Sequence, residues 1–157
     1  MISVLHRVLN VLLAMSVAIL IVPVSLQIFS RFTSIIPHYI WTEEMARFLF
    51  VWTVMLGAAV GVREQAHFDV DLWPDMSPRL NAGVKLITSV AILGFALVFV
   101  WAGYEFTRFG WNRTSELADL PLWTIHIAWP VTGLLWFIFQ GQHARQQLRI
   151  ALGGSAS

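Results

Sequence analysis

The chain reads as an all-α membrane protein, four transmembrane helices in a compact bundle with both termini inside, on three observations. Its 157 residues are 57% hydrophobic and only 12% charged, with eight Trp and eleven Phe, and the mean hydropathy is +0.69. Soluble proteins carry about 25% charged residues, and too few are present here to clothe a soluble surface of this size. The charges are also segregated: residues 8–30, 48–62, 86–104 and 120–144 contain no Asp, Glu, Lys or Arg. A helix crosses the hydrocarbon core with roughly 17–25 mainly apolar residues. These windows predict spans near 8–29, 42–63, 85–106 and 121–141, in one domain over 1–145. Lys and Arg favour the inner side. With the N-terminus inside, Arg7, Arg63, Arg79, Lys85, Arg145 and Arg149 fall inside, and Arg31, Arg47, Arg108 and Arg113 outside.

The first span follows a basic start, Met1 to Arg7, as a secretory signal does. Its apolar run exceeds the ~7–15 residues of a signal core and no small-x-small site ends it, so it is expected to remain as a helix. Pro23 interrupts it, as prolines commonly do in transmembrane helices. The connection from Arg31 to Trp41 holds Ile35, Ile36, Pro37, Tyr39 and Ile40, apolar enough to lie in the interface.

The second span has the shortest uncharged window and must borrow polar residues from its ends. Thr42 is placed to cap it, and Glu43 and Glu44 then fall in the first turn, where the helix dipole favours negative charge. Arg47 stands at i+4 from Glu43 and i+3 from Glu44, the spacing of an ion pair on one face. Two readings stay open: a neutralised helix end, or a contact with a partner's loops or a soluble component docking from outside. Gly57-Ala-Ala-Val-Gly61 is a GxxxG pattern, with Thr53 four residues before it. Close backbone approach through small residues drives helix association in lipid, so this face is expected to pack on a helix of this chain or of a partner.

The inner connection from Arg63 to Asn81 is polar, and Pro74 and Pro78 prevent one continuous helix there. Within it His67, Asp69 and Asp71 alternate with Phe68, Val70 and Leu72. An extended backbone would align the three as metal ligands, or they belong to a solvated loop. Hard octahedral ions need more oxygens than this cluster supplies, and no metal site is assigned. The connection from Thr107 to Asp119 leads to the fourth span, interrupted by Pro130. Residues 146–157 form a cytoplasmic tail whose end, Gly-Gly-Ser-Ala-Ser, is expected to be disordered.

Chemistry is excluded more than suggested. There is no cysteine, and a net charge of +1 gives no reason to expect a nucleic-acid partner. Haem needs axial ligands on facing helices, and His126 has no histidine opposite it in another span. No catalytic, cofactor or metal residues are assigned. The interiors of all four spans lack Asp, Glu, Lys and Arg, ionisable groups that transport paths usually keep in the membrane. The chain therefore looks like a scaffold or partner more than a complete path.

The run Trp41-Thr-Glu-Glu-Met-Ala-Arg-Phe-Leu-Phe-Val-Trp-Thr-Val-Met-Leu-Gly-Ala-Ala, followed by Val62-Arg63 and His67-Phe-Asp-Val-Asp71, resembles the small, DctQ-type membrane subunit of tripartite ATP-independent periplasmic (TRAP) transporters. Ser115…Leu120-Pro121-Leu-Trp123, then Pro130 and Gly133, is similar to a second, weaker pattern of that family. The resemblance covers about residues 5 to 145. It implies a multi-pass protein of the bacterial inner membrane that stabilises a large membrane subunit and helps dock a periplasmic substrate-binding protein. The large subunit would carry the substrate path and its sodium coupling for uptake of an organic acid. By carry-over Glu43, Glu44 and Arg47 match the family's outer motif, and Arg63, His67, Val70 and Asp71 its inner-loop motif. Glu43, Glu44, Arg47, Gly57, Gly61, Arg63, His67 and Asp71 are thus candidate structural or interface residues. The alternative is an independent small membrane carrier or a membrane-anchoring redox subunit.

Overall fold

Helix is the form in which a backbone can meet its own hydrogen bonds without water, and the long apolar runs of this chain take it. A computed structural model describes residues 2–33, 37, 39–64 and 78–151. The elements are α1 (Ile2–Phe32), α2 (Trp41–Glu64), α3 (Pro78–Gly110), the single turn α4 (Trp123–His126) and α5 (Ala128–Ala151). Three segments are long and apolar enough to cross a membrane: Val4–Phe32, Trp41–Glu64 and Gly83–Gly110. The second half of α5 carries Gln140, Gln142, His143 and Arg145, which dilute its apolar stretch. That helix also runs to Ala151, into the segment read as tail; residues 152–157 lie outside the described residues.

The helices do not close into the expected compact bundle. They stand in the order α1–α2–α5–α3, and among the described residues no Cα of α1 comes within 8 Å of α3 or α5. The reason lies in the solvent. Lipid tails are as apolar as Leu or Val, so no hydrophobic force draws the outer helices together, and only close packing or polar contacts do. On α1 the exposed residues are Val11, Met15, Ile19 and Val22 among others. Only 11% of its most apolar window is buried, against 28% for α2. Polar contacts add to the tie between α1 and α2: Thr53 Oγ1 donates to Ser16 Oγ at 3.1 Å, and Gln27 Nε2 donates to the Thr42 carbonyl at 2.8 Å.

A buried cluster of Leu9, Leu56, Val60, Val62 and Phe139 joins α1, α2 and α5, with Ile92 and Trp136 packed against it. Beside it, α3 and α5 meet without room to spare. A Cβ on Gly103 would lie 2.7 Å from the ring Cδ and the backbone nitrogen of Pro130, and one on Gly133 would lie 2.8 Å from Val100 and 2.9 Å from the Ala96 carbonyl oxygen. Phe99 packs between Trp129 and Trp136 with ring centroids 5.2 and 4.9 Å away. Deeper along the same seam, Gln140 Nε2 donates to Ser89 Oγ at 2.8 Å.

The predicted fourth span, 121–141, is not one helix, because α4 and α5 part at Ile127. Proline lacks the N–H that would bond the carbonyl four residues back and its ring crowds that carbonyl. For Pro130 that carbonyl belongs to His126, the last residue of α4. The ring then fills the notch that Gly103 leaves open.

Candidate functional site

The polar groups gather at two opposite ends of α2. At its start the backbone turns into helix through Thr42 and Glu43, whose N–H groups bond the Tyr39 and Ile40 carbonyls at 3.2 and 3.3 Å. The helix begins at Trp41, one residue before the expected cap. Thr42 does not cap it with its side chain: its hydroxyl donates back to the Tyr39 carbonyl at 2.7 Å.

Glu43 and Glu44 part company in the next turn. Arg47 Nη2 lies 3.5 Å from Glu43 Oε1, an i,i+4 pair with both side chains more than half exposed. Glu44 instead points across to the connection between α3 and α4. Its Oε2 accepts the Ser115 hydroxyl at 2.5 Å, the Ala118 N–H at 2.7 Å and the Leu117 N–H at 3.2 Å. Hydrogen bonds to an ionised acceptor are about twice as strong as neutral ones. Ser115 serves the turn as well: its N–H donates to the Leu120 carbonyl at 2.8 Å, and its Oγ accepts the Leu120 N–H at 3.2 Å. Asp119 takes a φ of 51° to close the turn, a left-handed conformation that Asp tolerates better than most residues.

Below the turn lies a small, mostly apolar pocket of about 60 Å³ lined by Glu44, Phe48, Ser115, Pro121 and Ile125, with Arg47 also on its wall. Trp52 Nε1 donates to the Thr124 carbonyl at 3.1 Å and ties α2 to α4. His126 packs as a core residue. Its ring stacks on Phe106 at 3.7 Å, and its Nδ1 lies 3.0 Å from the Phe106 carbonyl oxygen.

At the far end of α2, His6 Nε2 lies 3.1 Å from Glu64 Oε1 and 3.4 Å from Asn10 Nδ2. Arg63 lines an open crevice there with His6, Arg7 and Asn10, and its Nε is buried without a hydrogen-bond partner among the described residues. Burial, and then the Arg63 guanidinium, push the His143 imidazole below its ordinary value. Among the described residues no three His, Cys, Asp or Glu gather to hold a metal ion. The candidates His67 and Asp71, with Asp69, lie outside the described residues.

Of the remaining candidates, Gly57 is half-buried. A Cβ there would meet only Leu13 Cδ1, at an ordinary 3.8 Å, so the close approach expected of this face does not occur at Gly57 within the chain. Gly61 is also half-buried. Sequence reasoning missed Ser115 as the partner of Glu44, and Gly103 as the seat of Pro130. Ser115, Pro130 and Gly133 were all in the second motif, but nothing local pointed to what they touch.

Residues 20–150 match the model of the DctQ component of tripartite ATP-independent periplasmic transporters. The chain is 28% identical to the isethionate TRAP transporter permease protein DctMQ of Oleidesulfovibrio alaskensis, over 71% of this chain and 18% of that one. It is 28% identical to the C4-dicarboxylate TRAP transporter small permease protein DctQ of Rhodobacter capsulatus, over 65% of this chain and 47% of the relative. With the sialic acid TRAP transporter small permease protein SiaQ of Vibrio cholerae it shares 26% identity, over 75% of this chain and 69% of the relative. The chain thus spans about a fifth of the first of these relatives and about half of the second.

Proposed function

Because this chain belongs to the DctQ-component family of tripartite ATP-independent periplasmic transporters, a family of transporter permease subunits and not of enzymes, we propose that it scaffolds the large membrane subunit of such a system. It also helps dock the periplasmic substrate-binding protein for sodium-coupled uptake of an organic acid. The three apolar helices and the family make it a multi-pass membrane protein. In the proposed arrangement it sits in the bacterial inner membrane with both termini inside and the fourth crossing made by residues 121–141. The tail from 146 then lies in the cytoplasm, and the Glu44 end faces the periplasm.

The observation that carries this reading is the family match over residues 20–150, joined to spans whose interiors hold no Asp, Glu, Lys or Arg. A path for a charged acid and its coupling ion needs polar groups at membrane depth, so both are assigned to the large subunit, and this chain takes no cofactor. The relatives named for C4-dicarboxylate and sialic acid support a carboxylate as substrate, and the one named for isethionate widens the class to acids in general. Glu43, Glu44 and Arg47 belong to the outer surface, and Gly57 and Gly61 to a face for the large subunit. Arg63, His67 and Asp71 belong to the inner edge.

Co-expression with the large membrane protein encoded beside this chain tests the reading. A stable complex in mild detergent, and loss of uptake when this chain is deleted, are expected. Separation of the two with uptake retained would refute it. Uptake by this chain alone in liposomes, or a Soret band on the purified chain, would refute it in favour of an independent carrier or a redox subunit.

A further inference from the structure

The turn between α3 and α4 is closed at its base by the two bonds between Ser115 and Leu120, and its middle is held from outside. Ser115-Glu-Leu-Ala-Asp-Leu120 is short, with Glu116, Leu117 and Asp119 exposed and the other three half-buried. Ordering such a segment costs backbone entropy that local contacts must offset. Part of the offset comes from another helix, since the carboxylate that gathers Ser115, Leu117 and Ala118 stands 71 to 74 residues earlier in the chain. All three donors converge on one oxygen, Glu44 Oε2. Its neighbour Glu43 makes a different contact, the exposed pair with Arg47. The two adjacent carboxylates therefore have separate tasks, and only that of Glu44 reaches a second loop.

We propose that Glu44 is a positioning residue for docking: it holds residues 115–120 in one conformation, so that the secreted substrate-binding protein meets a preformed surface. A surface already ordered before encounter binds more tightly, because binding does not have to order it. Glu44 itself need not touch the partner, as its Oε2 is taken up by the turn. This inference rests on the docking role proposed above.

The test uses the whole complex of this chain with its large subunit in proteoliposomes, with the loaded substrate-binding protein as the probe. Uptake is measured against the concentration of that protein. Glu44→Ala is expected to raise the half-saturating concentration about tenfold, as loss of preorganisation does, with maximal rate and complex yield retained. Hydrogen exchange of amides 115–120 should quicken in the same variant. Glu44→Gln, which keeps one acceptor oxygen, should restore part of both. If Glu44→Ala does not yield complex, Ser115→Ala removes one donor to Glu44 together with the acceptor for the Leu120 N–H and should shift both readouts in the same direction.

Unchanged exchange, or faster exchange with an unchanged half-saturating concentration, overturns the inference while leaving the docking role intact. Uptake that falls only in step with complex yield in every variant also overturns it, because Glu44 would then be structural alone. A native complex that does not bind the secreted protein overturns the docking role, and this inference with it.

Discussion

The α3–α5 seam and the α1–α2 seam solve the same problem by different means. Between α3 and α5 the backbones approach until no Cβ fits at Gly103 or Gly133, and Pro130, Val100 and Phe99 fill the space. Between α1 and α2 there is room at Gly57 for an ordinary contact with Leu13, and hydrogen bonds from Thr53 and Gln27 add to the tie. Gly57 of the GxxxG pattern sits on the looser seam, and isolated glycines sit on the tight one. A small-residue motif therefore identifies a surface able to pack closely, while a matching bulky partner decides where it does.

The comparison breaks most readily at its tight side. Gly103→Val or Gly133→Val must push aside a proline ring or a backbone carbonyl, and overpacking of this kind costs about 1–3 kcal/mol. Thermal melting of the purified complex should drop clearly for either, and an unchanged melt would mean that α3 and α5 separate freely.

On the looser side the effects are smaller. Replacing Ser16 and Thr53 by Ala, singly and together, should give a coupling of about 0.6 kcal/mol, the average for such bonds between membrane helices. A coupling of zero in that cycle would assign the α1–α2 contact to packing alone. For the exposed pair of Glu43 and Arg47, coupling near 0.3–0.5 kcal/mol is expected. Reversing Glu43 alone should do more harm than reversing both, and equal harm would argue against the pair.

The smallest effect belongs to Gly57. Gly57→Ala should leave the melting of the isolated chain within about 0.5 kcal/mol. Gly57→Leu sharpens the contrast further. Complex lost while the isolated chain still folds would place the close contact on the large subunit, and complex retained would show that Gly57 makes no close contact with it.

Local features were legible in the sequence, and contacts across the chain were not. The apolar windows announced α1, α2 and α3 because hydropathy is a property of the segment itself. The Glu43–Arg47 pair was legible for the same reason, its spacing being set by a single helix. Glu44 looked equivalent to Glu43 at that level, and its different fate depends on a loop that folds back from beyond α3. Pro130 read as a kink, correctly for its own helix, but the seat it occupies is Gly103, which has no motif around it. The order of the helices was not legible either: a hydrophobic pattern predicts burial in water, whereas in lipid the same side chains are already solvated.

A ring of four helices has an axis, and a row has none. With α1 and α3 as its two ends and, among the described residues, no backbone approach between α1 and α3 or α5, the described helices leave the row open between those ends. It is a fence and not a pipe. Any sealed passage that this protein borders must take its remaining wall from another molecule, and that molecule can reach the row from either face.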